Sequence, residues 1–393
     1  PGEVLVFKTL DCFSNRIPDE NTTMADLDYT YGFANPAAGP VYVKGAEPGD
    51  VLVVDIYEVE VADEGTIATD DHCGPLFETT GYRTKKIPIR DGMADFNGVK
   101  FPIDPMIGVI GTAPDGEDVI DGFVGAHGGN LDNKLITKGT RLYLPVRVPG
   151  ALLQMGDVHA AMGDAELCGT GIEIPAEITV KVSLIKGFEL HWPVHETFGP
   201  HGKWYVNASA QEFDEALKNA SKELQRLLMR ITDIMMAFPF TILVITIMAI
   251  LGQGLINLFI ALWLVGGMSY AKLVRSEVLV LKDSEFIQAA RVAGFSDARI
   301  LFRHLLPNVI SSAVVFAASD VVMCMLTGAS MSFLGLGVSP PTPEWGSILN
   351  EGRNFITFAW WPTLFPGLFL AVSGVGFSLL GDGLTDFLRT KGR

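Results

Sequence analysis

Carboxylates and histidines are concentrated in two glycine-flanked segments in the first half of the chain, residues 125–132 and 156–166. Glycine-flanked backbone can curl around a small site. Carboxylate oxygens and imidazole nitrogens are ligands that suit divalent zinc, manganese or calcium. The candidate ligands and proton-transfer groups are His127, Asp132, Asp157, His159, Asp164 and Glu166. This pattern makes the two segments a candidate divalent metal site.

Such a site could hydrolyse an amide. A divalent metal activates water near neutral pH, which is what attack on an unreactive amide carbon requires. A neighbouring carboxylate such as Glu166 could act as general base and then protonate the leaving ammonia. The same spacing also fits a solvated acidic turn with one structural histidine. The spacing alone leaves both interpretations open.

The composition divides the 393-residue chain into two parts. Acidic residues outnumber basic ones 45 to 29, and the net charge of −16 excludes a generally basic nucleic-acid binder. Residues 1–228 carry 35 acidic and 18 basic residues, whereas residues 229–393 carry 10 and 11. Charged residues make up 19% of the chain, against about 25% in soluble domains. We therefore expect part of the chain to lie in lipid.

The elements that must position the site residues change in type along the chain. Up to about residue 186, short β-type runs such as Val51–Val61 alternate with turns rich in glycine, proline and aspartate. A helical pattern first occurs at Ala210–Leu228. We predict a mixed architecture: a mainly-β domain over residues 1–228, followed by an all-α transmembrane helical bundle over residues 229–393.

Four apolar segments in the second part are predicted to span a membrane. Residues 234–271 are 38 residues without a charge, enough for two helices of about 20 residues, and two further segments cover 309–335 and 354–381. Basic residues concentrate in 272–303 and at the carboxyl terminus, and the positive-inside rule places both on the cytoplasmic side. Because no secretory signal is recognisable, the acidic domain is also predicted to be cytoplasmic.

Three segments of the first part, Gly39–Asp50, His127–Asp132 and Gly156–Gly169, resemble the acetamidase/formamidase family. The resemblance extends from Pro1 to about Leu228. It implies a β-rich, metal-containing hydrolase that converts short aliphatic amides to a carboxylate and ammonia. It also implies metal ligands at His127, Asp132, Asp157 and His159, and catalytic carboxylates at Asp164 and Glu166. Compared with that family, the domain is expected to be truncated at both ends.

The second part contains Gln288-Ala-Ala-x3-Gly294, followed by Leu306-Pro307, on the basic loop between two predicted spans. This segment resembles the EAA loop of ABC importer permeases, and Met331–Gly346 resembles the subfamily that imports dipeptides, oligopeptides and nickel. The resemblance implies the last four spans of a type-1 permease whose first two spans are missing. It further implies a coupling loop to the ATPase, formed by Gln288, Ala289, Ala290, Gly294, Leu306 and Pro307.

The resemblances also imply the location and the partners of the chain. A multi-pass protein of a prokaryotic plasma membrane is expected to contact the lipid bilayer, an ABC ATP-binding subunit, a second permease subunit and an extracellular solute-binding protein. A small aliphatic amide is the implied substrate, and nucleic acid is not an expected partner. The phosphate-binding patterns of nucleotide sites do not occur, so we expect this chain to bind no nucleotide.

Three interpretations of the joined parts remain open. Both parts could work, which would couple amide hydrolysis to import. Alternatively, the amidase part could be an inactive appendage of a permease. The chain could also be a chimaera of two gene fragments in which one or both halves are inactive. The lack of a linker between Leu228 and Met229 favours the chimaera.

Overall fold

The computed structural model describes residues 1–27, 34–164, 166–338 and 341–391. Contacts within it divide the chain into two compact units, Pro1–Arg226 and Leu227–Arg393. The boundary inferred from the sequence, between residues 228 and 229, lies two residues further along. One helix, Phe213–Met236, contains both positions.

The first unit consists mainly of strands. In the part of this unit that the structure describes, a short α-helix, α1 (Phe77–Thr80), and a 3-10 turn (Met24–Asp26) lie among them. The strands are β1 (Val4–Thr9), β2 (Ala37–Val41), β3 (Val51–Val61), β4 (Glu64–Thr69), β5 (Arg83–Arg90), β6 (Met93–Phe96), β7 (Val99–Pro102), β8 (Met106–Gly111), β9 (Val124–Gly125), β10 (Gly128–Asn130), β11 (Thr140–Pro145), β12 (Leu153–His159), β13 (Ala176–Ile185), β14 (Val194–Thr197) and β15 (Trp204–Val206). The predicted mainly-β domain is confirmed.

The strands in the described part of this unit form three antiparallel sheets. Their orders are β1-β13-β3-β11-β14-β15, β2-β12-β8-β10-β9 and β4-β5-β6-β7. Strands that are distant in sequence lie side by side: Leu52 of β3 is paired with Leu144 of β11 and with Leu184 of β13. Long-range pairing of this kind brings the site-bearing loops together, and the local sequence pattern does not reveal it.

The core of this unit lies against β3, β8 and β12. Every residue of β8 is buried, and so is every residue of β12 except Gln154. Burying a side chain such as Leu52 or Ile107 stabilises the fold by about 1.5–3 kcal/mol. The two strands that carry or face the candidate site are therefore held by the best-packed part of the unit.

The second unit is helical. Its elements after the joining helix α2 (Phe213–Met236) are α3 (Phe240–Leu251), α4 (Leu255–Leu281), α5 (Glu285–Val292), α6 (Asp297–Ile300), a π-helical segment (Leu301–Leu305), α7 (Leu306–Phe333), α8 (Trp345–Gly352) and α9 (Trp361–Lys391). Three stretches are long and apolar enough to cross a membrane: Leu255–Leu281, Asp297–Phe333 and Trp361–Asp386. The apolar helical character predicted for this half is confirmed.

The first of the four predicted spans differs from its expected form. Residues 240–251 form a helix of only 12 residues, and it meets α2 at an angle of 96°. Proline cannot donate a backbone hydrogen bond and disfavours helix in the residue before it, so Pro239 explains the break. The described residues contain three candidate spans, or four if the bent pair α2 and α3 counts as one.

Candidate functional site

The centre of the candidate site is the carboxyl end of β12, which carries Asp157 and His159. β12 pairs with β8 on one side and with β2 on the other, so its backbone is fixed within a sheet. On β8, Gly108 leaves the room that the site needs. A Cβ added there would lie 2.8 Å from Asp132 Oδ1 and 2.9 Å from Asp157 Oδ2. Glycine at position 108 therefore allows both carboxylates to approach the strand.

Three site carboxylates belong to residues whose backbone is left-handed. Asp132, Asp157 and Glu166 have φ angles of 39°, 51° and 39°. Non-glycine residues rarely adopt such angles, each of which costs about 1–3 kcal/mol unless the surroundings enforce it. All three residues line the same cavity. The fold therefore maintains an unfavourable backbone at each of the three positions from which a carboxylate reaches the site.

His159 lies among three carboxylates. Its Nε2 is 3.2 Å from Glu173 Oε1 and 3.5 Å from Asp157 Oδ1, and its Nδ1 is 3.7 Å from Glu166 Oε1. Both His159 and Glu173 are 2% exposed. Among the residues that the structure describes, three groups have candidate ligand atoms within 4.8 Å of one another: Asp132, Asp157 and His159; His159, Glu166 and Glu173; and Cys12, Asp157 and Glu173.

Polar atoms at this centre lack protein partners. Within the described residues, five buried atoms of the cluster accept or donate no hydrogen bond: Asp132 Oδ1, Asp157 Oδ1, His159 Nδ1, Glu166 Oε1 and Glu173 Oε2. A buried polar atom without a partner typically costs about 1–3 kcal/mol, and more when it is charged. A divalent cation would satisfy several of these atoms at once, and oxygen and imidazole donors suit it. The residues therefore fit a metal ion.

The pKa values of the acids reflect their crowding. Burial, with the neighbouring Asp157 carboxylate, raises the pKa of Asp132 to about 6. Burial, with Asp132 nearby, raises the pKa of Glu166 to about 7, and burial raises that of Glu173 to about 8. Burial lowers the pKa of His159, but Glu173 and Asp157 outweigh it, and the net shift is upward. Without a cation, the cluster holds protons near neutral pH.

A cavity of about 640 Å³ adjoins this cluster. Asp132, Asp157, His159, Glu166 and Glu173 lie on its wall. The remaining wall is mixed: it includes the apolar residues Met24, Leu27, Ala68 and Pro75, and the polar residues Asp70, His72, Tyr82 and Asn130. The cavity gives a small neutral molecule access to the carboxylates while leaving apolar surface for a short alkyl group.

Two residues predicted from the sequence lie outside the cluster. His127 and Asp164 belong to none of the three ligand groups found among the described residues. The ring of His127 lies against Gly129, where an added Cβ would be 2.9 Å from Nε2. The side chain of Asp164 is 85% exposed, and its Oδ1 is 3.0 Å from Lys134 Nζ. Asp132, Asp157, His159 and Glu166, by contrast, come together.

Two residues that the sequence analysis missed join the cluster. Glu173 is 2% exposed and accepts a hydrogen bond of 2.9 Å from the backbone N–H of Gly171. In the sequence, Glu173 could have been found as the single acidic residue between Ile172 and Ile174. A carboxylate is rarely buried within an apolar run unless it is paired. Cys12 is also buried, and burial with the carboxylate of Glu173 nearby raises its thiol pKa well above the ordinary value. No local spacing points to Cys12.

The predicted coupling loop is the second candidate site. Gln288, Ala289 and Ala290 lie on α5, and Leu306 and Pro307 begin α7. The buried side chains of Ile287, Ala290, Ile300 and Leu305 form a small apolar cluster that fixes the segment. Helix α5 ends with Gly294 at a φ of 74°. The N–H of Gly294 donates to Arg291 O and that of Phe295 to Ala290 O, which together form a Schellman cap.

Comparison with known proteins gives a separate match for each part. Residues 1–121 and 123–219 match the model of the Acetamidase/Formamidase family. The fold is similar to an acetamidase from Bacillus halodurans, with 40% identity, a TM-score of 0.51, and coverage of 56% of this chain and 74% of that one. A predicted acetamidase/formamidase from Thermoanaerobacter tengcongensis is also 40% identical, with a TM-score of 0.54 over 57% of this chain and 74% of that one.

Residues 216–391 match the model of the Binding-protein-dependent transport system inner membrane component. The Glutathione transport system permease protein GsiD of Shigella flexneri serotype 5b is 46% identical over 166 residues, 42% of this chain and 55% of that protein. Its counterpart in Pectobacterium atrosepticum is 45% identical over the same lengths. The chain thus spans about half the length of the curated relatives it matches.

Proposed function

The chain belongs to the acetamidase/formamidase family, and on that basis we propose that its first unit hydrolyses short aliphatic amides to a carboxylate and ammonia. The observation that carries the proposal is the convergence of Asp132, Asp157, His159, Glu166 and Glu173 on one cavity, with five of their polar atoms unpartnered among the described residues. Of these residues, Asp132, Asp157, His159 and Glu173 would hold a divalent cation, which we propose to be zinc. When bound, such a cation supplies a Lewis acid for the amide carbonyl and for water.

Glu166 is the residue best suited to move the proton. Its pKa of about 7 lies near the operating pH of a general base, and its carboxylate is on the cavity wall. In the hydrolysis it would take a proton from the attacking water and deliver it to the nitrogen as the C–N bond breaks, which yields ammonia. Asp157 and Glu173 keep the His159 ring in place, because their oxygens lie 3.5 and 3.2 Å from its Nε2.

The first prediction is that the chain is a metal-dependent amidase, and it is tested by an amidase assay of the whole chain in detergent or native membranes. We expect release of ammonia from formamide or acetamide, and loss of that activity when a strong chelator is added. The physical reason is that the chelator removes the Lewis acid on which the attack of water on the amide carbonyl would depend. Activity that survives complete removal of metal, confirmed by elemental analysis, would contradict the proposed metal site.

A second prediction concerns pH. Since the pKa values of Asp132, Glu166 and Glu173 are raised to about 6, 7 and 8, protons occupy the cluster at pH 6 and leave it as the pH approaches 8. Protons compete with the cation, so the apparent affinity for Zn²⁺ should rise by about tenfold per pH unit for each proton displaced. Competition against a zinc-binding dye at several pH values measures this. An affinity independent of pH between 6 and 8 would contradict it.

We propose that the second unit acts as the membrane-embedded part of a binding-protein-dependent importer for peptide-type solutes. The match over residues 216–391, three helices long enough to span a membrane, and the capped α5 segment support this. The proposed partners are an ATP-binding subunit at the coupling loop, a second permease subunit and an extracellular binding protein. We further propose that the first unit faces the cytoplasm. Docking of the ATP-binding subunit at the coupling loop tests the importer proposal directly.

A further inference from the structure

Asp320 is a charged residue in the middle of an apolar membrane helix. It lies on α7, within a candidate span with a mean hydropathy of 2.1. Its partners among the described residues are neutral: Tyr270 Oη donates to Asp320 Oδ2 at 3.1 Å, and Cys324 Sγ lies 3.9 Å from the same oxygen. A carboxylate within a membrane is costly, and such residues usually face a water-filled cavity or a partner of opposite charge. Asp320 faces a cavity.

A cavity of about 730 Å³ lies beside the Asp320 carboxylate. Helix α4 contributes Phe259, Trp263, Gly266 and Tyr270 at helical spacing, and α7 contributes Asp320, Cys324 and Gly328. At Gly266 an added Cβ would lie 4.0 Å from Asp320 Oδ2. The absence of a side chain there leaves the carboxylate open to the cavity.

The rest of the wall has the chemistry that binds an organic cation. Glu344, the N-cap residue of α8, adds a second carboxylate to the lining. Tyr270, Trp263 and Phe259 supply aromatic rings, whose faces attract cations. Two acids and three aromatic rings around an otherwise apolar cavity complement an ammonium group attached to a carbon skeleton. An anionic group would be repelled.

We propose that this cavity is a subsite for the ammonium group of a transported solute, with Asp320 as its counter-ion. The inference rests on the proposed permease function and adds to it a preference for solutes with a primary ammonium. A peptide amino terminus and a free amine share this chemistry. Residues of α4 and α7 and the N-cap residue of α8 line the subsite, so it can be tested in the chain as it exists.

Cys324 is a built-in reporter, because it lies one helical turn from Asp320 on the cavity wall. Membranes containing the chain are treated with a trimethylammonium-ethyl or a sulfonatoethyl methanethiosulfonate, and modification is quantified on the peptide that contains Cys324. We expect both reagents to react and the cationic one to react faster. Replacing Asp320→Asn should lower the ratio of the two rates by about tenfold, because the nearby negative charge is gone.

A matched control uses a more distant position on the same helix. Ile310 is 47% exposed, is absent from the cavity lining given by the described residues, and lies about 15 Å along α7 from Asp320. In a Cys324→Ser, Ile310→Cys variant, the ratio of rates should not depend on Asp320. The proposal is overturned if Cys324 is unreactive, which means a dry or filled cavity, or if Asp320→Asn leaves its ratio unchanged.

Protection of Cys324 against labelling by added compounds distinguishes the two sources of the ammonium group, a peptide amino terminus and a free amine. Alanyl-alaninamide should slow labelling of Cys324, its N-acetylated form should not, and propylammonium reports whether a free amine is sufficient. Failure of both cations to protect would overturn the subsite. The labelling needs neither ATP nor a partner subunit, so its failure is distinct from a failure to dock the ATP-binding subunit.

Discussion

Replacing His159→Ala is expected to remove the bound metal and the amidase activity together. His159 is 2% exposed, and it belongs to two of the three ligand groups. The polar side chains around it are carboxylates, so its loss leaves repelling anions without the imidazole nitrogen. Changes even to residues that only support a metal ligand cost about 10–100-fold. We expect a loss of more than about 100-fold in kcat/KM, with the metal content measured on the same purified chain.

The Glu166→Gln variant should behave differently. Glutamine preserves the shape of the side chain and one oxygen, but it cannot accept the proton from water. General base catalysis contributes about 10²–10⁴ to the rate, and we expect a loss in that range with the metal retained. His201→Ala and Glu117→Gln are matched controls, because both residues are exposed. An active wild type whose His159→Ala variant keeps full metal and full rate would remove His159 from the site.

The candidate site was partly predictable from the sequence. Asp157, His159 and Glu166 lie within ten residues, and their grouping in the structure follows from one strand end and the turn after it. The spacing could not show which of Asp164 and Glu166 faces the site, because two residues of a loop that are two positions apart can point in different directions. The left-handed backbone at Glu166 accompanies its place on the cavity wall, whereas Asp164 is exposed beside Lys134.

Residues brought in by long-range pairing were not predictable. Cys12 follows β1, which pairs with β13, and Glu173 forms isolated bridges with Thr66 and His159. These contacts depend on sheet order, and no local pattern encodes that order. The first membrane segment differs for a local reason: counting uncharged residues predicted a full span, but a new helix of 12 residues begins after Pro239 and is bent by 96° from α2.

Glycine at position 294 of the coupling loop is not required by packing against the described residues. In the structure, a Cβ added to Gly294 meets nothing within 4 Å. The requirement instead comes from the backbone, whose φ of 74° completes the cap of α5. The surrounding space is free for a partner protein to occupy.

Replacing Gly294→Trp should therefore abolish capture of an ATP-binding subunit for two additive reasons. A non-glycine residue in a left-handed conformation costs about 1–2 kcal/mol, which weakens the end of α5. The indole would also project into the open space where the partner must pack. We expect the amount of ATP-binding subunit of a peptide-type importer that co-purifies with the chain to fall by about 100-fold or more, which corresponds to about 2.8 kcal/mol.

Two further substitutions separate these causes. Asparagine tolerates the left-handed conformation, so Gly294→Asn should retain most of the capture, whereas Gly294→Ala introduces the backbone strain with little bulk and should be intermediate. If Gly294→Trp and Gly294→Ala reduce capture of the ATP-binding subunit equally, the helix cap alone determines docking. If Gly294→Trp reduces capture and Gly294→Ala does not, contact with the partner determines docking. Undiminished capture by the Gly294→Trp chain would mean that the ATP-binding subunit docks elsewhere, and that the α5 segment is a structural turn of the membrane unit.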